Sequence, residues 1–245
     1  MQDNERKIGR REILTLLGVT SAVFASGCAS ESPTSPSTMG SATDVGTTTT
    51  GGAGTTTGTS GLACSVTPNE TVGPYPSLID LFRSDIRESK AGTQLDLTIT
   101  VLNAAASCAP LTGANVEIWQ CDAGGNYSQY GSERAQTYLR GIQTSDANGQ
   151  VKFTTVYPGW YQGRATHIHV EVTQNGRSLK VTQIAFPEST NAEVYGTGVY
   201  AARGSNPTTN ARDGIFADSL SSEMATVLGS PSSGYTANFT VGLAA

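Results

Sequence analysis

The stretch His167-Ile168-His169-Val170-Glu171-Val172-Thr173-Gln174-Asn175-Gly176-Arg177-Ser178-Leu179-Lys180-Val181-Thr182-Gln183-Ile184-Ala185-Phe186 carries the strongest signal of fold in the chain. Ile168, Val170 and Val172 alternate with polar or ionisable neighbours, which is the period of a strand with one buried face. Asn175-Gly176 is the preferred pair for a tight hairpin turn, so the chain reverses there and a second strand follows from Leu179 to Phe186. Outward from this hairpin, the same alternation recurs in Leu95, Leu97, Ile99 and Val101, and again in Ala114-Asn115-Val116-Glu117-Ile118-Trp119. Asp146-Ala147-Asn148-Gly149 supplies turn chemistry before another strand, Gln150 to Val156, with Val151 and Phe153 on one face. A late run, Ala237 to Leu243, has the composition to close a sheet, and helical period shows only around Ile215 to Leu228. The pattern predicts an all-β domain, a mostly antiparallel β-sandwich.

The strand pattern belongs to residues 63–245. Residues 1–28 read as an export signal: the paired arginines Arg10-Arg11 precede an apolar stretch, Leu14 to Phe24, in the manner of a twin-arginine signal peptide. Ala25-Ser26-Gly27-Cys28 resembles a bacterial lipobox, in which the Cys28 thiol is lipidated. Residues 29–62 hold no aromatic side chain and only two charges, Glu31 and Asp44. Such a Ser/Thr/Gly segment buries too little apolar area to offset ordering, and reads as a flexible tether. The expectation is an exported protein at the cell envelope or extracellular face, held to a membrane by its N-terminal lipid alone. The formal net charge is −5, and without a basic stripe nucleic acid is not an expected partner. In an exported protein two of Cys64, Cys108 and Cys121 are expected to pair, and the sequence does not choose among the three pairings.

The chain has two histidines, and both lie on the one strand as His167-Ile168-His169. A period of two puts both imidazoles on one face with Cα atoms roughly 7 Å apart, close enough to meet at one metal ion. Glu171 shares that face and Cys121 is the nearest candidate thiol, but tyrosine is the abundant neighbour. Tyr157-Pro158-Gly159-Trp160-Tyr161 precedes the histidine strand, and Tyr127 and Tyr130 follow the Trp119 strand. A phenol with a pKa near ~10 gives up its proton readily only to a strong Lewis acid. Two phenolates and one hydroxide balance the charge of Fe(III), and two neutral imidazoles complete the set. That balance favours ferric iron over zinc or copper.

At this point the residues resemble a known family. Tyr161-Gln162-Gly163-Arg164-Ala165-Thr166-His167-Ile168-His169, Trp119-Gln120-Cys121-Asp122-Ala123-Gly124-Gly125-Asn126-Tyr127 and Thr67-Pro68-Asn69-Glu70-Thr71-Val72-Gly73-Pro74-Tyr75 are together similar to the intradiol ring-cleavage dioxygenases, the protocatechuate 3,4-dioxygenases and catechol 1,2-dioxygenases, and nearest to their exported single-domain branch. The resemblance implies a β-sandwich of the intradiol type and a non-haem Fe(III) held by Tyr127, Tyr161, His167 and His169. Tyr161 would be the ligand that leaves when substrate arrives, and Arg164 the cation beside the substrate ring. Thr71, Gly73, Pro74, Tyr75, Arg164 and Gln183 would line the substrate. The implied reaction opens a catechol between its two hydroxyls with O₂ to give a cis,cis-muconate-type diacid. The two-residue spacer Gln162-Gly163 is shorter than the loop of protocatechuate enzymes, which points to a differently shaped pocket. Tyr130 and Tyr157 read as packing residues, Trp119 and Trp160 as wall and core.

Two other readings share part of the evidence. A non-catalytic transthyretin-like sandwich, acting as a binding or adhesive lipoprotein, would share the strands and turns but has no use for grouping Tyr127, Tyr161, Arg164, His167 and His169. A copper or zinc site would use the two histidines with Glu171.

Overall fold

The computed structural model describes residues 64–244, so the export signal, Cys28 and the whole of the tether lie outside the described residues. Among the described residues nine strands account for the architecture: β1 Gln94–Asn103, β2 Ala109–Pro110, β3 Asn115–Trp119, β4 Arg140–Thr144, β5 Gln150–Val156, β6 His167–Gln174, β7 Arg177–Ala185, β8 Thr226–Ser230 and β9 Gly234–Leu243. They form two sheets. One runs β2-β1-β9-β8 with β5 also paired to β1, and the other runs β4-β3-β6-β7. Every ladder is antiparallel except β1 with β9, which pair in parallel from Leu95↔Tyr235 to Asn103↔Leu243. The expected β-sandwich is therefore the fold.

Alternation places the core between the sheets. Leu95, Leu97, Ile99 and Val101 of β1, Val151 and Phe153 of β5, and Ala237, Phe239 and Val241 of β9 face Val116, Ile118, Ile168, Val170, Val172 and Ile184 of the second sheet. Full burial of an aliphatic side chain of this kind stabilises by roughly 1.5–3 kcal/mol before conformational entropy is subtracted, so a register slip that turned β6 over would expose three such residues at once.

The helical expectation was only partly met. Within 215–228 the helix α2 spans just Leu220–Glu223, and β8 follows it; the longer helix α1, Glu188–Tyr195, lies where no period was visible. α1 carries only three buried residues, Asn191, Val194 and Tyr195, too few to print an amphipathic stripe. The cysteine question is resolved: Cys64 and Cys108 form a disulfide across 44 residues, and Cys121 is free and buried. Closing a loop of that length restricts the unfolded chain, so a Cys64→Ala/Cys108→Ala variant should lose about 2–4 kcal/mol. Urea denaturation would show it as a lower midpoint, and an unchanged midpoint would contradict it.

Candidate metal centre

Four residues from four neighbouring strands form one row across the second sheet. Trp119 of β3 stands opposite Arg140 of β4 on one side and His169 of β6 on the other, and His169 stands opposite Gln183 of β7. All four side chains point away from the sandwich core, yet each is at most 1% exposed. The outer face here is roofed by residues 71–78 and by the loops that carry Tyr127 and Tyr161. Trp119 and His169 stack with centroids 4.9 Å apart and planes within 2°. Gly73 lies on the open edge of the same imidazole, with φ +73° and room for no side chain: a Cβ there would stand 2.8 Å from His169 Cε1.

The imidazoles converge. His167 Nε2 and His169 Nε2 are 3.1 Å apart, and Tyr161 Oη is 3.4 Å from His167 Nε2. His167 Nδ1 lies 2.6 Å from the Ala165 carbonyl; donating to it fixes the proton on Nδ1 and turns the Nε2 lone pair inward. Tyr127 packs beside them, 5.7 Å from the Tyr161 ring and 6.3 Å from His169 between centroids. Its hydroxyl is buried with no hydrogen-bond partner, as is His169 Nδ1. Burial pushes the His167 pKa down to about 3, helped by Arg164, and drives His169 well below its usual value. Both imidazoles are therefore neutral at ordinary pH. Burial first of all raises the Tyr127 and Tyr161 phenols, with Arg164 opposing it at both and Arg140 at Tyr127.

These observations test the donor set against an ion. Two imidazole nitrogens each ~2.1 Å from one ion and at right angles to it would stand ~3 Å apart, close to the spacing seen. An orphaned buried phenol costs free energy as it stands and loses that cost as an anionic ligand. Two phenol oxygens and two neutral nitrogens fit a strongly Lewis-acidic ion such as Fe(III). The alternative set built on Glu171 does not assemble: among the described residues no three His, Cys, Asp or Glu side chains cluster to hold an ion. Burial pushes the Cys121 thiol up to about 12, so that neighbour stays protonated.

The remaining expected residues sort by contact. Arg164 donates from Nη2 to Gln183 Oε1 at 2.5 Å and from Nε to Asp213 Oδ2 at 2.8 Å. Gln183 Nε2 donates in turn to the Thr71 carbonyl at 3.0 Å, so Gln183 ties the arginine to the roofing segment. Thr71 Oγ1 accepts from Gly73 N, and Pro74 is exposed. Tyr75 stacks on Tyr127 at 4.6 Å and meets Tyr161 edge-on. Tyr130 donates to the Pro76 carbonyl and Tyr157 to Asn191, while Trp160 donates to the Gly204 carbonyl, so these three pack as expected.

Sequence reasoning missed Arg140. It is fully buried and its bonds go to neutral oxygens: Ser128 Oγ, Ser128 O, Tyr75 O and Ser77 Oγ. Its guanidinium carbon sits 5.8 Å from the Tyr127 ring centroid. The side chain thus joins the Tyr127 loop to the roofing segment. A basic residue opening a short strand was the only available sign of it.

A family model described as "Dioxygenase" matches residues 76–205. The structure titled as an intradiol ring-cleavage dioxygenase from Tetranychus urticae is 32% identical, with a TM-score of 0.65, and the match covers 74% of this chain and 94% of that one. The catechol 1,2-dioxygenase of Candida albicans is 33% identical over 108 residues, 35% of this chain and 36% of that protein. The catechol 1,2-dioxygenase of Acinetobacter baylyi is 30% identical over 146 residues, 49% of this chain and 46% of that protein. The chain spans less than half the length of these two curated relatives.

Two substitutions test the geometry. Gly73→Ala combines an αL backbone, costing about 1–2 kcal/mol for a residue with a Cβ, with a clash against a stacked ring. It should lower the thermal midpoint and shift the His169 imidazole resonances; wild-type values for both would refute the contact. Glu70 immediately precedes the roofing segment, and its carboxyl is raised to about 7, first by burial and then by Glu223 and Asp218, with Arg164 opposing. An acid raised on folding is neutral in both states below its unfolded pKa; stability is lost as pH rises from that value to the folded one, and the loss is constant above it. Glu70→Gln should therefore leave stability unchanged near pH 4 and raise it near pH 8, as read from thermal melts. The same gain at both pH values would remove the electrostatic cause.

Proposed function

The chain belongs to the Dioxygenase family, and from that premise we propose that it is a non-haem Fe(III) intradiol dioxygenase. The reaction adds both atoms of O₂ to a catechol, breaks the ring bond between the two hydroxyl-bearing carbons, and yields a cis,cis-muconate-type diacid. The observation that carries the reading is the convergence of His167 Nε2, His169 Nε2 and Tyr161 Oη beside the orphaned Tyr127 hydroxyl. In this reading those four residues hold the ion. The chemistry an iron supplies there is strong Lewis acidity, which makes phenolates the stable form and activates a bound catechol toward O₂.

The residues divide the remaining work. Tyr127 is 4% exposed, packed between Tyr75 and the Arg140 guanidinium, which suits a ligand that never leaves. Tyr161 is only partly buried and borders Arg164, so in this reading its Oη would be the ligand oxygen able to accept a catechol proton. His167 and His169 stay neutral donors, and no histidine is left over as a separate base. Arg164, held by Gln183 and Asp213, offers a fixed cation to negative charge developing on the ring. Thr71, Gly73, Pro74 and Tyr75 belong to the segment that closes the site against water.

The location belongs to the same proposal. The Arg10-Arg11 signal and Cys28 support an exported enzyme, lipid-anchored and acting on catechols outside the cytoplasm, and a structural disulfide is in keeping with an oxidising compartment.

A visible spectrum of the iron-loaded protein, before and after catechol under nitrogen, tests the reading. A burgundy phenolate-to-Fe(III) band that moves to longer wavelength with catechol is the expected result. Tyr127→Phe, His167→Ala and His169→Ala should lose iron or the band, with activity falling by about 100-fold or more. Tyr161→Phe should keep iron and lose rate. A protein that stays colourless after ferric loading would return the non-catalytic sandwich.

A further inference from the structure

Asp213 lies beyond the stretch that the family model matches and on none of the strands, yet its carboxylate is fully buried against the site. Oδ2 accepts from Arg164 Nε at 2.8 Å and from the Ala165 backbone N–H at 2.6 Å, while Oδ1 accepts from the Ile215 backbone N–H at 2.8 Å. Ala165 then presents its own carbonyl to His167 Nδ1 at 2.6 Å. One oxygen of one side chain thus holds the guanidinium that faces the reacting ring, and also the residue whose carbonyl orients an imidazole.

The surroundings make the pair stiff. The Arg164 side chain is 15% exposed and the Asp213 side chain 0%, Phe216 lies under the guanidinium at 5.9 Å, and Asn206 donates to the Arg164 carbonyl at 2.9 Å. A carboxylate in such a place pays for desolvation. The two backbone N–H groups and the guanidinium outweigh that cost and hold Asp213 below the usual carboxylate range. The Nε edge of Arg164 is spent on Asp213 and one Nη2 bond on Gln183, so the fork cannot rotate as a free surface arginine does.

We propose that Asp213 is a positioning residue for the reaction: it clamps Arg164 and the Ala165 corner together, so that the substrate-facing cation and the His167 imidazole keep one fixed relation. The inference rests on the function proposed above and adds to it a residue that touches neither metal nor substrate. Its carboxylate acts through the Arg164 side chain toward the ring, and through the Ala165 backbone N–H toward His167.

The test compares wild type, Asp213→Asn, Asp213→Glu, Arg164→Lys and the Asp213→Asn/Arg164→Lys double variant, each as the full chain. Asp213→Asn removes the charge and aims an amide N–H at another donor. Misplacing a reacting group by an ångström can cost about 100-fold, so kcat should fall by about that factor while bound iron stays within about twofold of wild type. Asp213→Glu, which keeps the charge, should recover part of the rate. The loss should add only in part to that of Arg164→Lys: in the Arg164→Lys background, Asp213→Asn should cost about tenfold or less, the share that passes through Ala165, because the two residues otherwise act as one unit. Independently of turnover, the Ala165 amide in the iron-free chain should exchange its hydrogen about tenfold faster in Asp213→Asn. A kcat within threefold of wild type, or losses that add in full, would overturn the proposal. If wild type itself opens no catechol, the functional reading fails and the exchange measurement alone judges the clamp: an unchanged Ala165 amide overturns it, and a selectively faster one keeps it.

Discussion

Along β6, Ile168, Val170 and Val172 must reach the sandwich core, and that requirement sends His167 and His169 to the opposite face. Because β3 and β7 pair with β6, and β4 with β3, all in fixed register, the same requirement places Trp119 and Gln183 beside His169 and Arg140 beside Trp119. A slip by one residue would bury imidazole and expose aliphatic surface, so the packing that stabilises the domain also keeps the candidate ligands in place. The site needs no separate scaffold. It uses the reverse side of the strands that build the core.

What distinguishes this reverse side is that it is dry. Residues 71–78 and the loops bearing Tyr127 and Tyr161 exclude solvent from a face that most antiparallel sheets leave wet. Inside, the imidazoles are held neutral, and the polar atoms Tyr127 Oη, His169 Nδ1 and Trp119 Nε1 are without partners. The buried cation Arg140 bonds to neutral oxygens, while Arg164 meets its counter-charge in Asp213. The buried Tyr127 hydroxyl and the inward-facing Nε2 lone pairs are the groups that a bound positive charge would satisfy.

Much of this was legible in the chain. Period-two alternation located β1, β3, β5 and β6, since each has one face in the core; the Asn175-Gly176 turn located β7 and the composition of a late run β9, and the spacing of His167 and His169 followed from the same period of two. Hidden features have physical causes too. β4 is Arg-Gly-Ile-Gln-Thr, whose outward arginine is buried by a segment far away in sequence. α1 buries too little to show a period, and β8 is an edge strand without a solvent-to-core contrast. Asp213 precedes a glycine in a loop and reads locally as a turn residue; only tertiary structure brings it to Arg164. The parallel pairing of β1 with β9 is likewise invisible to any local pattern.

The Cys64–Cys108 bond has a mechanical meaning as well as a thermodynamic one. Any pull arriving from the N-terminal side enters the described structure at Cys64, where the chain is covalently spliced to the turn between β1 and β2. Thr67 then bonds to Gly242 in both directions, through its backbone N–H and its side-chain oxygen. Tension is passed sideways into the central strands before it can reach residues 71–78, where the lid over the paired histidines begins. A domain that hangs from its N-terminus would be loaded through its stiffest members, and the thin roof over the candidate site would be spared.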